Sequence, residues 1–335
     1  MHWRDFSPSP GVGPWQGLDL EITSDDLRVG APGLRVEVAT PGRLRISCSS
    51  VPAIWARIHR YHHGLWRLIA PRAASWDVMP PLRASDVAAI EAAPGSEAWW
   101  KAWARHTARA LVASPRGPLH PGRWALTTAR AADLPGPQIP GPPPVDWPKV
   151  DRIEMTRDAL NSPALGWESW WLNGNGGLLR MRDPSPADAG RVRAWSKRVR
   201  DGTLPPALVL WVSGLDMFLL LDGHDRLQAA VQEGIAPAFL VLWAVRTTPR
   251  GADPARQQAV VMEIERKRGL AGDRRPLTVE AENQLLVSAF DDRAWLWPKT
   301  RAFPLPGKAA AWDEEVRAQP GVTPEHALFS GEPPT

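Results

Sequence analysis

The stretch from Leu134 to Pro148, LPGPQIPGPPPVDWP, constrains the fold more than any other part of this sequence. Proline has no backbone N–H and a fixed φ, so a run this rich in proline forms neither a helix nor a central β-strand. Such a segment is typical of a semi-rigid connector. We therefore predict three parts: residues 1–133 as an N-terminal region, 134–148 as a linker, and 149–335 as a second domain.

The N-terminal region is predicted to be rich in strands. Short stretches of alternating apolar and polar residues are separated by Gly, Pro and Asp, which is typical of half-buried strands. An alanine-rich segment from Ala84 to Ala113 follows with helical spacing. Its tryptophans are predicted to fill the core or the contact between the two domains, in preference to forming a stacking platform for bases or sugars. The predicted strands are LDLEI (18–22), LRVEVA (34–39), RLRISC (43–48) and LWRLIA (65–70).

Beyond the linker, strands and helices alternate, so we predict an α+β protein. Ser185 is the predicted N-cap of a helix that begins at Pro186, and Gly234 is predicted to end another helix. The tail from Trp295 is predicted to be irregular, apart from an amphipathic stretch at AAAWDEEVRA. The predicted strands are 178–181, 207–212, 217–221 and 238–245, and the predicted helices are 186–200, 227–233 and two that begin near Pro254 and Thr278.

The amino-acid composition limits the cellular location and the classes of binding partner that we expect. Cys48 is the only cysteine, which excludes an intramolecular disulfide framework and a cysteine-based zinc site and is typical of a reducing cytoplasm. The N-terminus lacks the apolar core of a signal peptide, and the apolar run 204–221 is interrupted by prolines, so we predict two buried strands there and no membrane association. A net charge of +4 with scattered arginines argues against a nucleic-acid partner. The prediction is a soluble cytoplasmic protein.

Three histidines occur close together in HRYHHG, from His59 to Gly64. His59 and His63 share a face in either a strand or a helix, but no cysteine or carboxylate nearby in the sequence supplies a third ligand. We therefore predict a solvated polar cluster at this position in preference to a metal site.

The residues with the most chemistry are Asp-Gly-His-Asp-Arg, 222–226, between the apolar stretch MFLLL and a predicted helix. A helix N-terminus presents unpaired amides that, together with the helix dipole, favour an anion and phosphate above all. Gly223 permits close approach of a ligand, while His224 and Arg226 match phosphate oxygens. Asp222 fits the activation of a nucleophile or the binding of Mg²⁺. Asp225 is either a second carboxylate for the metal or a negative charge that weakens anion binding. The alternative is structural: Asp222 caps the helix and the other side chains have turn and surface roles.

This order of elements resembles the ParB/sulfiredoxin-like superfamily, and within it the DGH-x-R branch, which includes free-serine kinases and ParB-like nucleotide hydrolases. The resemblance covers about residues 178–245 and implies a mixed α/β domain of that type. By resemblance, Gly223, His224 and Arg226 bind nucleotide phosphates, and Asp222 assists phosphoryl transfer or metal binding. The matched positions are Pro206, Val209, Asp222, Gly223, His224, Arg226, Ala229, Ala230 and Gly234.

The sequence differs from members of the superfamily in three features, and these differences exclude some of the family's functions. His224 stands where sulfiredoxins place a cysteine, which excludes cysteine-based repair of sulfinic acids. The helix-turn-helix DNA reader of partition ParB proteins has no convincing equivalent after Val245. The strand that carries an acidic residue or an arginine in the family is echoed only by LLRMRD, in which Arg180 is a candidate nucleotide contact.

The predicted function is binding of ATP or another nucleotide with Mg²⁺, followed by NTP hydrolysis or kinase-like transfer to a small hydroxyl. The predicted roles are catalysis for Asp222 and His224, nucleotide binding for Gly223, His224, Arg226 and Arg180, and metal binding for Asp222 and Asp225. A second hypothesis is a non-catalytic immunity or regulatory partner that uses the ParB-like scaffold and contacts a protein through the Trp-rich N-terminal half. A third hypothesis is a ParB-like DNA-binding protein or nuclease.

Overall fold

The computed structural model of the protein describes residues 1–6, 15, 17–27, 32–59, 61, 63–70, 77–128, 153–169, 177–248, 251, 253–269, 278–290 and 295–334. The predicted linker at 134–148 lies outside these residues. The chain divides into two compact units. One comprises Met1–Asp133, Trp147–Val245 and Pro298–Thr335, and the other comprises Leu134–Asp146 and Arg246–Trp297.

Apolar alternation in the sequence produces two sheets. Strands β3, β4 and β10 have the predicted bounds, whereas the sequence patterns do not predict β1, β5, β7, β8 or β13. In chain order the strands are β1 His2–Phe6, β2 Gly17–Ile22, β3 Leu34–Ala39, β4 Arg43–Cys48, β5 Val51–Ile58, β6 Gly64–Ile69, β7 Gly122–Thr128, β8 Leu165–Ser169, β9 Gly177–Arg180, β10 Ala207–Val212, β11 Met217–Asp222, β12 Phe239–Thr248, β13 Trp295–Pro298 and β14 Ala302–Pro304.

The strand order in the first sheet is β1-β2-β7-β12-β10-β11-β9. Strand β10 lies between β11 and β12, antiparallel to β11 and parallel to β12. Strands β11 and β9 are parallel, with Leu220 opposite Arg180. This register places residues 181 and 182 beside the carboxyl end of β11, where the Asp-Gly-His-Asp-Arg segment begins.

The strand order in the second sheet is β14-β3-β4-β5-β6-β8. Neighbouring strands from β3 to β8 are antiparallel, whereas β14 runs parallel to β3. Strands β3 to β6 precede the predicted linker in the sequence, and β8 and β14 follow it. Sequence from both sides of that linker therefore shares one sheet.

Helices complete a mixed structure whose N-terminal half is rich in strands, which confirms the α+β prediction. Within the described residues, no helix combines the length and the apolarity needed to cross a membrane. The helices are α1 Ala84–Ala88, α2 Glu97–Ala113, α3 Ile153–Asn161, α4 Gly190–Arg200, α5 His224–Gln232, α6 Pro254–Gly269, α7 Val279–Phe290, α8 Lys308–Arg317 and α9 Ala327–Ser330.

The largest apolar core of the first unit is shared by the two sheets and α2. Leu18 and Leu126 of the first sheet and Ile54 of the second are fully buried in it. Trp99 and Trp103 of α2 are buried in the same core, which confirms that these tryptophans fill the interior. Burial of this apolar surface is the dominant favourable contribution to folding.

Helix α4 begins later than predicted. Its first residue is Gly190 and its N-cap is Ala189, so the prediction that Ser185 caps a helix from Pro186 is wrong. Prolines 184 and 186 disfavour helical geometry in the residues before them, and the chain makes a turn there, in which the Ala189 N–H donates to the carbonyl of Pro186 at 2.9 Å. Ser185 instead lies near the side chain of Asp225, whose pKa it lowers.

The C-terminal tail is more ordered than predicted. The amphipathic stretch forms α8, but β14 and α9 show that the expectation of an otherwise irregular tail is wrong. Helix α8 buries Trp312 and Val316 in a second core with Trp55 and Leu68 of the second sheet. Because these partners lie early in the chain, the tail's local pattern does not reveal them.

The second unit contains α6 and α7, which begin close to the predicted positions. Arg268 Nε donates to Glu282 Oε1 at 3.0 Å and ties the end of α6 to the beginning of α7. Ala244 precedes the segment 246–297 and Lys299 follows it, and both residues belong to the first unit. The Lys299 N–H donates to the carbonyl of Ala244 at 2.8 Å. The chain therefore leaves and re-enters the first unit at neighbouring positions.

Trp312 offers a test of the C-terminal core. It is fully buried, and its Nε1 donates to the carbonyl of Leu44 at 3.0 Å. We expect Trp312→Ala to lower the free energy of unfolding by about 3–5 kcal/mol through the cavity it leaves. The control Val51→Thr, at an exposed position of β5, should change it by less than about 0.5 kcal/mol in the same urea titration. Equal small effects would contradict the assignment of Trp312 to a core.

Candidate functional site

The predicted site is a strand-to-helix junction formed by β11, Gly223 and α5. Gly223 is the N-cap and has φ of +105°, a conformation that L side chains rarely adopt. A Cβ on Gly223 would lie 2.8 Å from Ala207 Cβ and 3.0 Å from Arg226 Nη2. The helix begins at His224 and not at Leu227 as predicted, so residues 224–226 form its first turn.

Asp222 and Arg226 form an ion pair across this turn. Arg226 Nη2 donates to Asp222 Oδ2 at 2.7 Å and to the carbonyl of Pro206 at 3.2 Å, and the guanidinium lies over the ring of Trp195. Arg226 is buried, and its Nε has no hydrogen-bond partner among the described residues. The N-cap of α5 is Gly223, and the Asp222 carboxylate accepts from Arg226, so the alternative in which Asp222 caps the helix is wrong.

His224 is buried and neutral. Its Nε2 accepts a hydrogen bond from the Met181 N–H at 3.2 Å, which places the ring proton on Nδ1. Burial, and then the nearby Arg182, lower the pKa of His224 to about 3. The imidazole therefore carries no charge at neutral pH and fixes the chain after β9 against α5.

Asp225 is a buried carboxylate held by two arginines. Its Oδ1 lies 3.2 Å from Arg182 Nη2, and its Oδ2 lies 3.2 Å from Arg191 Nε. Burial opposes ionisation, but the hydrogen bond from Ser185 and the charge of Arg182 outweigh it and leave the pKa of Asp225 below its usual value. Asp225 is thus ionised and already neutralises part of the arginine charge.

Arg180 is directed away from the junction. Its Nη1 donates to the carbonyls of Ala159 and Ser162 at 3.0 and 2.6 Å, and its Nη2 lies 3.1 Å from Asp183 Oδ1. These contacts tie β9 to the C-terminal end of α3. The structure therefore brings Asp222 to Arg226 together with Arg182, while the hydrogen bonds of Arg180 go elsewhere.

The sequence patterns do not predict that Arg191 contacts Asp225 at this site. Arg191 lies in the first turns of α4 and its side chain is 50% exposed, which makes it the most accessible cation of the cluster. The position of α4 against α5 sets this contact, and the signal available in the sequence is only an arginine near a helix start.

The cluster has a positive surplus. Three arginines, 182, 191 and 226, face two aspartates, 222 and 225, and the neutral His224 adds no charge. The first turn of α5 has no side-chain cap. Unpaired amides and a helix dipole at a net positive site favour an anion.

A metal is less directly supported. Within the described residues, no group of three or more His, Cys, Asp or Glu side chains is placed to hold a metal ion. Mg²⁺ is also held by one or two carboxylates with water, so its binding at Asp222 or Asp225 stays a prediction. The histidine cluster differs from expectation because His59 is buried and not solvated.

Comparisons of the chain with protein-family models, with curated proteins and with solved structures gave no match. The resemblance to the ParB/sulfiredoxin-like superfamily therefore stays a prediction, and the geometry of the junction carries the functional argument.

Gly223 provides a stability test. We expect Gly223→Ala to lower the free energy of unfolding by about 2 kcal/mol or more, because it adds a steric overlap with Ala207 to the cost of a positive φ. Gly202 is the matched control, since its φ is also positive but open space surrounds the position of its Cβ. Gly202→Ala should cost only about 1 kcal/mol in the same denaturation experiment. A larger loss at Gly202 would contradict the steric explanation.

His224 predicts a pH dependence. Between pH 6.5 and about 3, the unfolded chain binds a proton on this imidazole that the folded chain does not bind, so stability falls as the pH is lowered. The contribution approaches about 1.4 kcal/mol per pH unit well below pH 6.5. We expect His224→Gln to flatten the curve of unfolding free energy against pH between 7 and 4.5. The exposed His2→Gln variant should leave the slope unchanged, and an unchanged slope in His224→Gln would refute the assignment.

Proposed function

We propose that the chain binds a nucleotide or another phosphorylated small molecule at the first turn of α5. The observation that carries the proposal is the combination of an uncapped helix start, a surplus of arginine charge and a buried Arg226 Nε that lacks an acceptor among the described residues. Each of these features gains stability from phosphate oxygens.

The phosphates would take over contacts that the protein now makes with itself. Arg191 is half-exposed and reaches Asp225 from the surface, so its guanidinium can exchange this carboxylate for a phosphate with little other change. Arg182 is less exposed and would support the same anion from the other side of Asp225. Gly223 adds no side chain between the ligand and the backbone amides.

The proposal includes phosphoryl chemistry, either NTP hydrolysis or transfer to a small hydroxyl, with Asp222 as the group that orients the nucleophile or Mg²⁺. Asp222 lies at the edge of the junction and is more exposed than the buried Arg226 to which it is paired. We assign His224 a positioning role only, because a neutral imidazole whose Nε2 accepts from a backbone amide is not placed to transfer a proton.

The alternative of a non-catalytic interaction protein gains no support from Trp99 and Trp103 of α2. Trp99 and Trp103 are buried in the core of the first unit, and a buried ring is not available to a protein partner.

Nucleotide binding is tested by thermal shift and calorimetric titration with ATP, ADP, CTP and GTP, each with and without Mg²⁺. We expect at least one nucleotide to raise the melting temperature, and Arg191→Gln to weaken its affinity about tenfold, as expected for one charge-assisted hydrogen bond.

Arg200→Gln is the matched control, because Arg200 lies on the same helix, is also exposed and pairs with Glu233 away from the junction. The control should bind as the wild type does. Absence of any shift in the wild type, or equal affinities for the wild type and Arg191→Gln, would rule out the proposed site.

A further inference from the structure

Arg57, in β5, is a largely buried arginine whose guanidinium lacks an ion pair within the described residues. The residue is 8% exposed. Among the residues that the structure describes, it makes no hydrogen bond or ion pair, and its Nε is buried without an acceptor. Withdrawing an unpaired charge from water costs several kcal/mol, so buried guanidinium groups are normally paired. This arginine requires an explanation.

The neighbours of Arg57 increase the electrostatic cost. Arg43 lies directly opposite it in β4, and like charges at such positions destabilise a sheet. Asp313 is the nearby carboxylate, but both of its oxygens accept from Arg43, at 2.9 and 3.0 Å. Burial, and then the charge of Arg43, lower the pKa of the Arg57 guanidinium. Asp313 therefore forms its ion pair with Arg43 and not with Arg57.

Glu315, a second carboxylate on this face of the sheet, is also paired with residues other than Arg57. Glu315 of α8 forms an ion pair with Arg45 and accepts from Trp55 Nε1 at 2.8 Å. Trp55 precedes Arg57 by two residues in β5, so the two side chains lie on the same face of the second sheet. The carboxylates that α8 brings to this face serve Arg43 and Arg45.

His59 presents a second unsatisfied group just after β5. It is buried, and its Nδ1 has no hydrogen-bond partner within the described part of the chain. Its other ring nitrogen, Nε2, lies 3.4 Å from Oε2 of Glu332, which is half-exposed. Arg57 and His59 are two residues apart, and both leave a buried nitrogen unpaired.

Two glycine turns flank the Arg57 guanidinium. A Cβ on Gly42 would lie 3.3 Å from Arg57 Nη1, and a Cβ on Gly331 would lie 3.2 Å from Arg57 Nε. Both glycines have positive φ, so side chains are disfavoured at both turns. The guanidinium is therefore bordered by bare backbone.

We propose that Arg57 forms an anion-binding site between the turns at Gly42 and Gly331, and that this site takes a small oxyanion, either a phosphate or a carboxylate. The oxyanion supplies the acceptors that the described residues do not provide, and the planar fork of arginine matches both chemistries. The site lies on the second sheet and does not depend on the proposed nucleotide site at α5.

The test measures the melting temperature of the full chain in sodium phosphate, sodium acetate and sodium chloride at equal ionic strength. It uses the Arg191→Gln background, in which phosphate is expected to bind more weakly at α5, and the comparison with Arg57→Met isolates the shift that belongs to Arg57. At about ten times its Kd, the bound oxyanion is expected to raise the melting temperature by roughly 2–4 °C over chloride. A shift with phosphate alone identifies a tetrahedral ligand, and a shift with acetate as well identifies a carboxylate-type ligand.

Arg57→Met removes the charge but keeps an apolar side chain of similar length. We expect this variant to lose the oxyanion shift, while its melting temperature in chloride stays equal to or above that of its parent, because an unpaired buried charge has been removed. Arg57→Lys is the second variant, and it should retain only part of the shift because a point charge replaces the planar fork.

Arg4→Met is the matched control at an exposed arginine, and it should keep the full shift. A shift that persists in Arg57→Met, or the absence of a shift with either oxyanion in the parent, would overturn the proposal.

Discussion

The parallel pairing of β9 with β11 is the constraint on which the candidate site depends. With Leu220 opposite Arg180, the residues that follow β9 lie beside the first turn of α5. Met181 then donates its amide to His224, and Arg182 reaches Asp225. The hydrogen bonds between β9 and β11 thus place Arg182 within reach of the first turn of α5. A shift of one residue would turn these side chains to the opposite face.

Buried charge is arranged differently at the two sites of the first unit. At α5 each buried ion has a counter-ion, with Arg226 on Asp222 and Asp225 between Arg182 and Arg191. To bind an incoming anion, an arginine must therefore exchange its aspartate for that anion. The affinity depends on the difference in free energy between the old ion pair and the new one. Arg57 forms no ion pair within the described residues, and the nearby Asp313 is paired with Arg43, so an oxyanion at Arg57 adds a pair without breaking one. The first arrangement favours selective binding, and the second favours binding of simple ions.

The elements that the sequence predicts well are those with local signals. Strands β3, β4 and β10 follow directly from apolar patterning, and Gly234 ends α5 as expected, with φ of +67°. The junction at Gly223 was also predictable, since a glycine between an apolar strand and a helix indicates a sharp reversal. The partners of its side chains were not, because α4 supplies Arg191 and the segment after β9 supplies Arg182.

Long-range pairing explains the remaining differences. The tail forms β14 only because β3 offers it an edge, and α8 is stabilised by Trp55 and Leu68 from early in the chain. The expectation of a solvated His59 failed for the same reason, since residues near Glu332 lie close to it. Local composition contains no information about partners that are distant in sequence.

The hydrogen bond between Lys299 and Ala244 has a consequence for how the chain tolerates change. It brings together the two points at which residues 246–297 depart from and return to the first unit. An excursion whose ends already meet can be lengthened, shortened or exchanged at a small entropic cost, because closing a longer loop adds only about 0.6 kcal/mol per doubling. The helices α6 and α7 within this excursion are therefore expected to tolerate changes in length and sequence better than the strands that border them.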